Sequence, residues 1–111
     1  MKAKRILPIS VLEEFKSNFK QFVDSNMRHL ESPVIIQANK VKMGDILSYK
    51  SAFNPKMTSR NPYICFEDGY MSSQNQTFKN HSSQELVKYG TIELSDRQIE
   101  IFESLLIYHN N

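Results

Sequence analysis

One stretch limits the fold more than any other: residues 10–30, SVLEEFKSNFKQFVDSNMRHL. Val11, Leu12, Phe15, Phe19, Phe22, Val23, Met27 and Leu30 recur at helical spacing. At 100° per residue they fill an arc of about 160°, with Glu13, Ser17, Gln21, Asp24, Ser25 and Arg28 turned away. The spacing predicts one amphipathic helix pressed onto a core. Ser10 followed by Glu13 makes a capping box, and Pro8 and Pro33 bracket the run. Asp24 and Arg28 stand four apart as an ion pair. Asn26 falls inside the apolar arc, where burial would cost stability unless its amide finds partners.

Short strand signals follow. PVIIQA (33–38) reads as a strand, with Asn39-Lys40 as a hairpin turn after it. Val41–Met43 alternates, and Gly44-Asp45 makes a second turn. Residues 46–53 form an imperfect strand, and 54–62 a loop bracketed by two Asn-Pro steps. YICF (63–66), turning at Asp68-Gly69 into 70–72, is the best hairpin signal in the chain. The polar run 72–84 is a loop with room for an edge strand. Residues 83–89 stay open between a short helix, capped by Ser82 and Glu85 and stopped at Gly90, and a strand, ELVKY. Thr91–Leu94 reads as a strand. Ser95 with Gln98 caps a last helix over 96–108, whose wide apolar coverage implies cover on two sides.

Parallel connections need a dozen or more residues each, and the middle of the chain has no room for several. The prediction is therefore α+β: an antiparallel sheet of four to six short strands packed against an N-terminal amphipathic helix and a C-terminal helix. The 111 residues make one domain, with enough length to bury a core without metal or disulfide. Residues 1–60 hold 11 Lys and Arg against 5 Asp and Glu, while residues 61–111 hold 3 against 7. This asymmetry suggests a positive and a negative face on one small body. One cysteine, Cys65, rules out an internal disulfide and cysteine-rich zinc sites. Its apolar neighbours Ile64 and Phe66 mark a buried, inert thiol and a reducing compartment. The first residues fail as a signal peptide and no run is long enough to cross a membrane, so the expected location is the cytoplasm.

No motif with a known mechanism matches, and three glycines cannot supply both turns and a phosphate cradle. No cofactor or metal is expected. Asp45 and Asp68 each adjoin a glycine and are explained by turns. His29 and His109 have structural or no roles. His81, beside Lys79 and near Glu85, is the one candidate for metal-free RNA cleavage, the histidine as base and the lysine as phosphate clamp. Basic and aromatic residues interleave from Tyr49 to Lys79, a pattern that suits single-stranded nucleic acid. The basic contact residues are Lys40, Lys42, Lys50, Lys56, Arg60 and Lys79, with Tyr70 for stacking. Ile101, Ile107 and Tyr108 are the apolar excess of the last helix and could make a homodimer seam or meet another protein. Usage rich in Lys, Asn, Ile and Ser hints at an AT-rich coding source such as a phage or mobile element. The reading is a small non-enzymatic binding or regulatory protein with a macromolecular, most plausibly protein, partner. The alternative is a nucleic-acid-binding protein or ribonuclease-like toxin centred on His81.

Overall fold

The computed structural model describes residues 6–50, 62–67, 69–74, 76–79 and 85–109. Two helices open the chain, α1 (Ile9–Ser17) and α2 (Phe19–Asn26). The expected single helix is broken at Asn18, which sits at φ −105°, ψ 7°. The carbonyl of Glu14 accepts from both the Ser17 hydroxyl (2.9 Å) and the Asn18 side-chain amide (3.0 Å). Such local side-chain bonds compete with the helix ladder. The helix resumes when Phe22 N donates to Asn18 O at 2.9 Å.

The run also stops short of Leu30. Asn26 Nδ2 reaches back to Phe22 O at 2.8 Å, and Met27 is extended at φ −72°, ψ 132°. Asn26 is exposed there and incurs no burial cost. Arg28 to Leu30 belong to the first strand, so Asp24 pairs with Lys20 (3.1 Å) rather than Arg28. The Ser10 capping box does not form either. Val11 N and Leu12 N donate to Pro8 O at 3.0 and 3.3 Å, which starts the helix at Ile9 and leaves Ser10 inside the first turn.

Six strands follow: β1 (Arg28–Gln37), β2 (Asp45–Tyr49), β3 (Tyr63–Glu67), β4 (Tyr70–Ser72), β5 (Thr77–Lys79) and β6 (Glu85–Thr91). Helix α3 (Asp96–His109) ends the fold. The strands form one sheet in the order β1-β6-β2-β3-β4-β5. Every neighbouring pair is antiparallel. This is the predicted α+β architecture.

The details differ where β6 intervenes. Asn39-Lys40 is no hairpin turn, because β1 and β2 are not neighbours. A single 3₁₀ turn (Ala38–Lys40) leaves β1 instead, and Ala38 and Val41 pack with Leu47 and Leu86 on the sheet's back side as the chain crosses to β2. Val41–Met43 is accordingly connection rather than strand. Residues 83–89 resolve as strand over the described part, since Leu86 and Tyr89 are buried on opposite sides of a sheet covered on both. That burial outweighs the cap signal of Ser82 and Glu85. The strand expected at 91–94 ends at Thr91. β3 and β4 form the expected hairpin, with Glu67 opposite Tyr70 and Gly69 at φ 81°, while Asp68 lies outside the described residues.

Gly44 joins three segments. Its N–H donates to Cys65 O (2.6 Å), and its carbonyl accepts from Ile92 N (2.7 Å). Its φ of 94° disfavours any side chain, and a side-chain carbon would collide with the Ile92 carbonyl.

The helix side of the sheet carries the larger core. Phe102 is its centre, with ring centroids of Phe15, Phe66 and Phe19 at 5.3, 5.4 and 6.3 Å. Residues 101–106 of α3 are all buried. The two-sided cover expected of this helix is present: Phe66 of β3 meets it on one side, and Phe15 of α1 with Leu7 on the other. Leu7 N donates to Ser104 Oγ at 3.1 Å.

The charge asymmetry does not become two faces among the described residues. Strand β6, from the acidic half, lies between β1 and β2 of the basic half. Lys88 therefore pairs with Asp45 (3.1 Å) and Glu85 with Lys50 (3.5 Å), across the two halves.

Candidate interaction surface

Among the described residues, the basic residues singled out in the sequence do not form one cluster. Lys40, Lys42 and Lys50 are all exposed. Lys42 lies before β2 and Lys50 after it, so the five-residue strand separates them by roughly 16 Å. Lys50 meets Glu85 at 3.5 Å with both side chains more than half exposed, a pairing worth little. Lys56, Arg60 and His81 lie outside the described residues.

Lys79 and Glu85 are not brought together. Lys79 ends β5 and Glu85 begins β6, with β4, β3 and β2 between those strands. Four inter-strand spacings come to roughly 19 Å. Tyr70 is half-buried on the helix side, its ring 6.2 Å from Phe66, which makes it a core contact more than a stacking platform.

The apolar excess of α3 also shrinks. Ile101 is 6% exposed and belongs to the core, so it offers no surface. The helical spacing that suggested an excess could not show that α1 covers α3 from the far side. Ile107 is half-buried, and Tyr108 remains exposed.

The back side of the sheet holds polar groups with structural duties. Asp45 is nearly buried; one carboxylate oxygen meets Lys88 Nζ at 3.1 Å and the other accepts from Lys42 N at 2.8 Å. The carboxylate thereby fixes the crossover between β1 and β2. The Tyr49 and Tyr63 rings meet edge-on at 5.1 Å, and Gln76 Nε2 donates to Tyr63 Oη at 3.3 Å. Burial, and then the adjacent Tyr63, push the Tyr49 phenol above its ordinary value of 10.0. Cys65 is buried, as its neighbours implied, and its thiol donates to the Glu67 carbonyl at 3.2 Å. No group of three or more His, Cys, Asp or Glu is placed to hold a metal among the described residues.

The surface that sequence reading missed is the outer edge of β1. This strand ends the sheet, and no strand pairs with its outer side among the described residues. Its pairing with β6 is irregular between His29 and Val34 and regular from Val34 to Gln37. Along that regular part Val34 is 45% exposed and Ile35 57%. Ile35 opposes Val87, which opposes Ser48 on the helix side; Val34 opposes Lys88 on the back side. One open edge thus shows β-branched side chains toward both sides of the sheet. Irregular pairing and Pro33 blunt its first half, as natural edges often are. The second half has no such protection. The run V-I-I was visible in the sequence as a strand. Its place at an edge depends on β6, 50 residues later, taking the inner position.

No helix among the described residues is long and apolar enough to cross a membrane. No protein-family model matches this chain, and comparisons with curated proteins and with solved structures likewise give no match.

Proposed function

We propose that this is an intracellular, non-enzymatic binding or regulatory protein that acts on another protein through the edge of β1. The observation that carries the reading is the pair Val34 and Ile35, exposed on the unprotected half of a terminal strand. An open edge offers backbone donors and acceptors for a partner strand, and the flanking side chains select which strand fits. The separation of Lys79 from Glu85 and the dispersal of the described lysines favour this reading over RNA cleavage or a nucleic-acid groove.

The test is capture from a lysate of the native host, with wild type and Ile35→Lys as baits, with and without nuclease. A protein held by wild type, resistant to nuclease and lost with Ile35→Lys supports the reading. Recovery of only nucleic acid, equal for both baits, overturns it. Ile35 is exposed, so the charged variant should keep its unfolding midpoint within about 0.5 kcal/mol of wild type.

A further inference from the structure

Resting on that reading of the β1 edge, we infer that the strand which completes it is β1 of a second copy, paired antiparallel about a twofold axis at Ile35. The edge demands an unusual partner. A strand with one wet face would bring an alternating pattern, but Val34 and Ile35 are adjacent and point to opposite sides. The incoming strand must therefore carry consecutive apolar residues. Val34, Ile35 and Ile36 are such a run.

Symmetry and length then select the register. A twofold axis normal to a continuous sheet leaves each side on its own side. Directly opposed residues share a side, so a position of even number opposes an even one and an odd position an odd one. The usable span is bounded by the irregular pairing before Val34 and by the 3₁₀ turn that begins at Ala38. Val34–Gln37 is the regular part, so the axis falls at Ile35 or Ile36, and Ile35 is the more exposed of the two. With Ile35 opposite itself, Val34 opposes Ile36 of the other copy on the back side. The two Ile35 side chains meet on the helix side. Each is a β-branched cross-strand pair, the kind that stabilises sheets. An axis at Ile36 would instead set Ile35 against Gln37 and Val34 against Ala38 of the turn, and an axis at Val34 would set Ile35 against Pro33, so Ile35 is the position that matches apolar with apolar. A pairing confined to these four residues falls below the roughly 1,000 Å² of a stable interface, so the dimer belongs to the weak, concentration-dependent class.

Site-directed crosslinking combined with sedimentation tests the register and the partner together. Under oxidation Ile35→Cys should form a disulfide-linked dimer, because directly opposed residues lie about 4.5–5.5 Å apart at Cα. Val34→Cys should not, because its own counterpart is diagonal at about 7–8 Å. Wild type, with only buried Cys65, is the blank. Sedimentation of wild type should show a reversible dimer, weakened about tenfold or more by Ile35→Lys. Monomer at every concentration, a dimer untouched by Ile35→Lys, or Val34→Cys crosslinking as fast as Ile35→Cys would each overturn the pairing. If the monomer nonetheless captures a host protein in an Ile35-dependent way, only the second copy is wrong and the edge keeps its role. Loss of both dimer and Ile35-dependent capture removes the edge itself.

Discussion

The two helical regions, α1–α2 and α3, carry similar signals in the sequence and end up built differently. Each has an apolar stripe and a Ser with Glu or Gln three residues on. In α3 the capping box forms: Ser95 N donates to Gln98 Oε1 (2.9 Å) and Gln98 N to Ser95 Oγ (3.2 Å). In α1 it does not, because the Pro8 carbonyl already accepts from Val11 N and Leu12 N and starts the helix one residue before Ser10. α3 is continuous and buried over 101–106, whereas α1–α2 is interrupted at Asn18 and buries only Leu12, Phe19 and Val23. A capping box is thus a local offer that the preceding residues can forestall. Burial on several sides keeps a helix unbroken where a single apolar stripe does not.

The sharpest attack on this contrast is Phe102→Ala. It should cost about 3–5 kcal/mol, because it removes the ring on which both helical regions and β3 converge. Phe19→Ala should fall near the lower end of that range, at about 3 kcal/mol; a loss above that of Phe102→Ala in urea titration would invert the ranking. Phe22→Ala should cost clearly less, because that ring is only half-buried. The capping difference is finer. Ser95→Ala should lower stability by about 1 kcal/mol. Ser10→Ala should stay within about 0.5 kcal/mol of wild type. Equal losses at the two serines would show that α1 begins at Ser10 after all.

The pattern of legibility follows from locality. Residues 96–108 and the hairpin of strands near 63–66 and 70–72 rest on neighbours in sequence, and they are readable there. Helix interruption at Asn18 is not, because no apolar position is missing there; two side chains simply favour the Glu14 carbonyl. Residues 83–89 stay open between helix and strand in the sequence, because the cap signal there is local and the burial is not. The exposed edge of β1 is the least visible part. Val34 and Ile35 look like core until strand order is known, and Ile101 looks like surface until α1 is laid against α3.

The position of β6 between β1 and β2 has a consequence for the order of events in folding. A chain leaving the ribosome presents β1 through β5 before residue 85 exists. Until β6 arrives, β1 and β2 have no common neighbour, and Gly44 has no Ile92 amide to receive. The sheet is closed from its last strand inward, a non-local step that slows folding and leaves strand edges exposed meanwhile. A chain truncated before residue 85 would lack the strand that joins the two halves of its sheet. Synthesis of residues 85–91 is therefore the event that commits this sheet to its strand order.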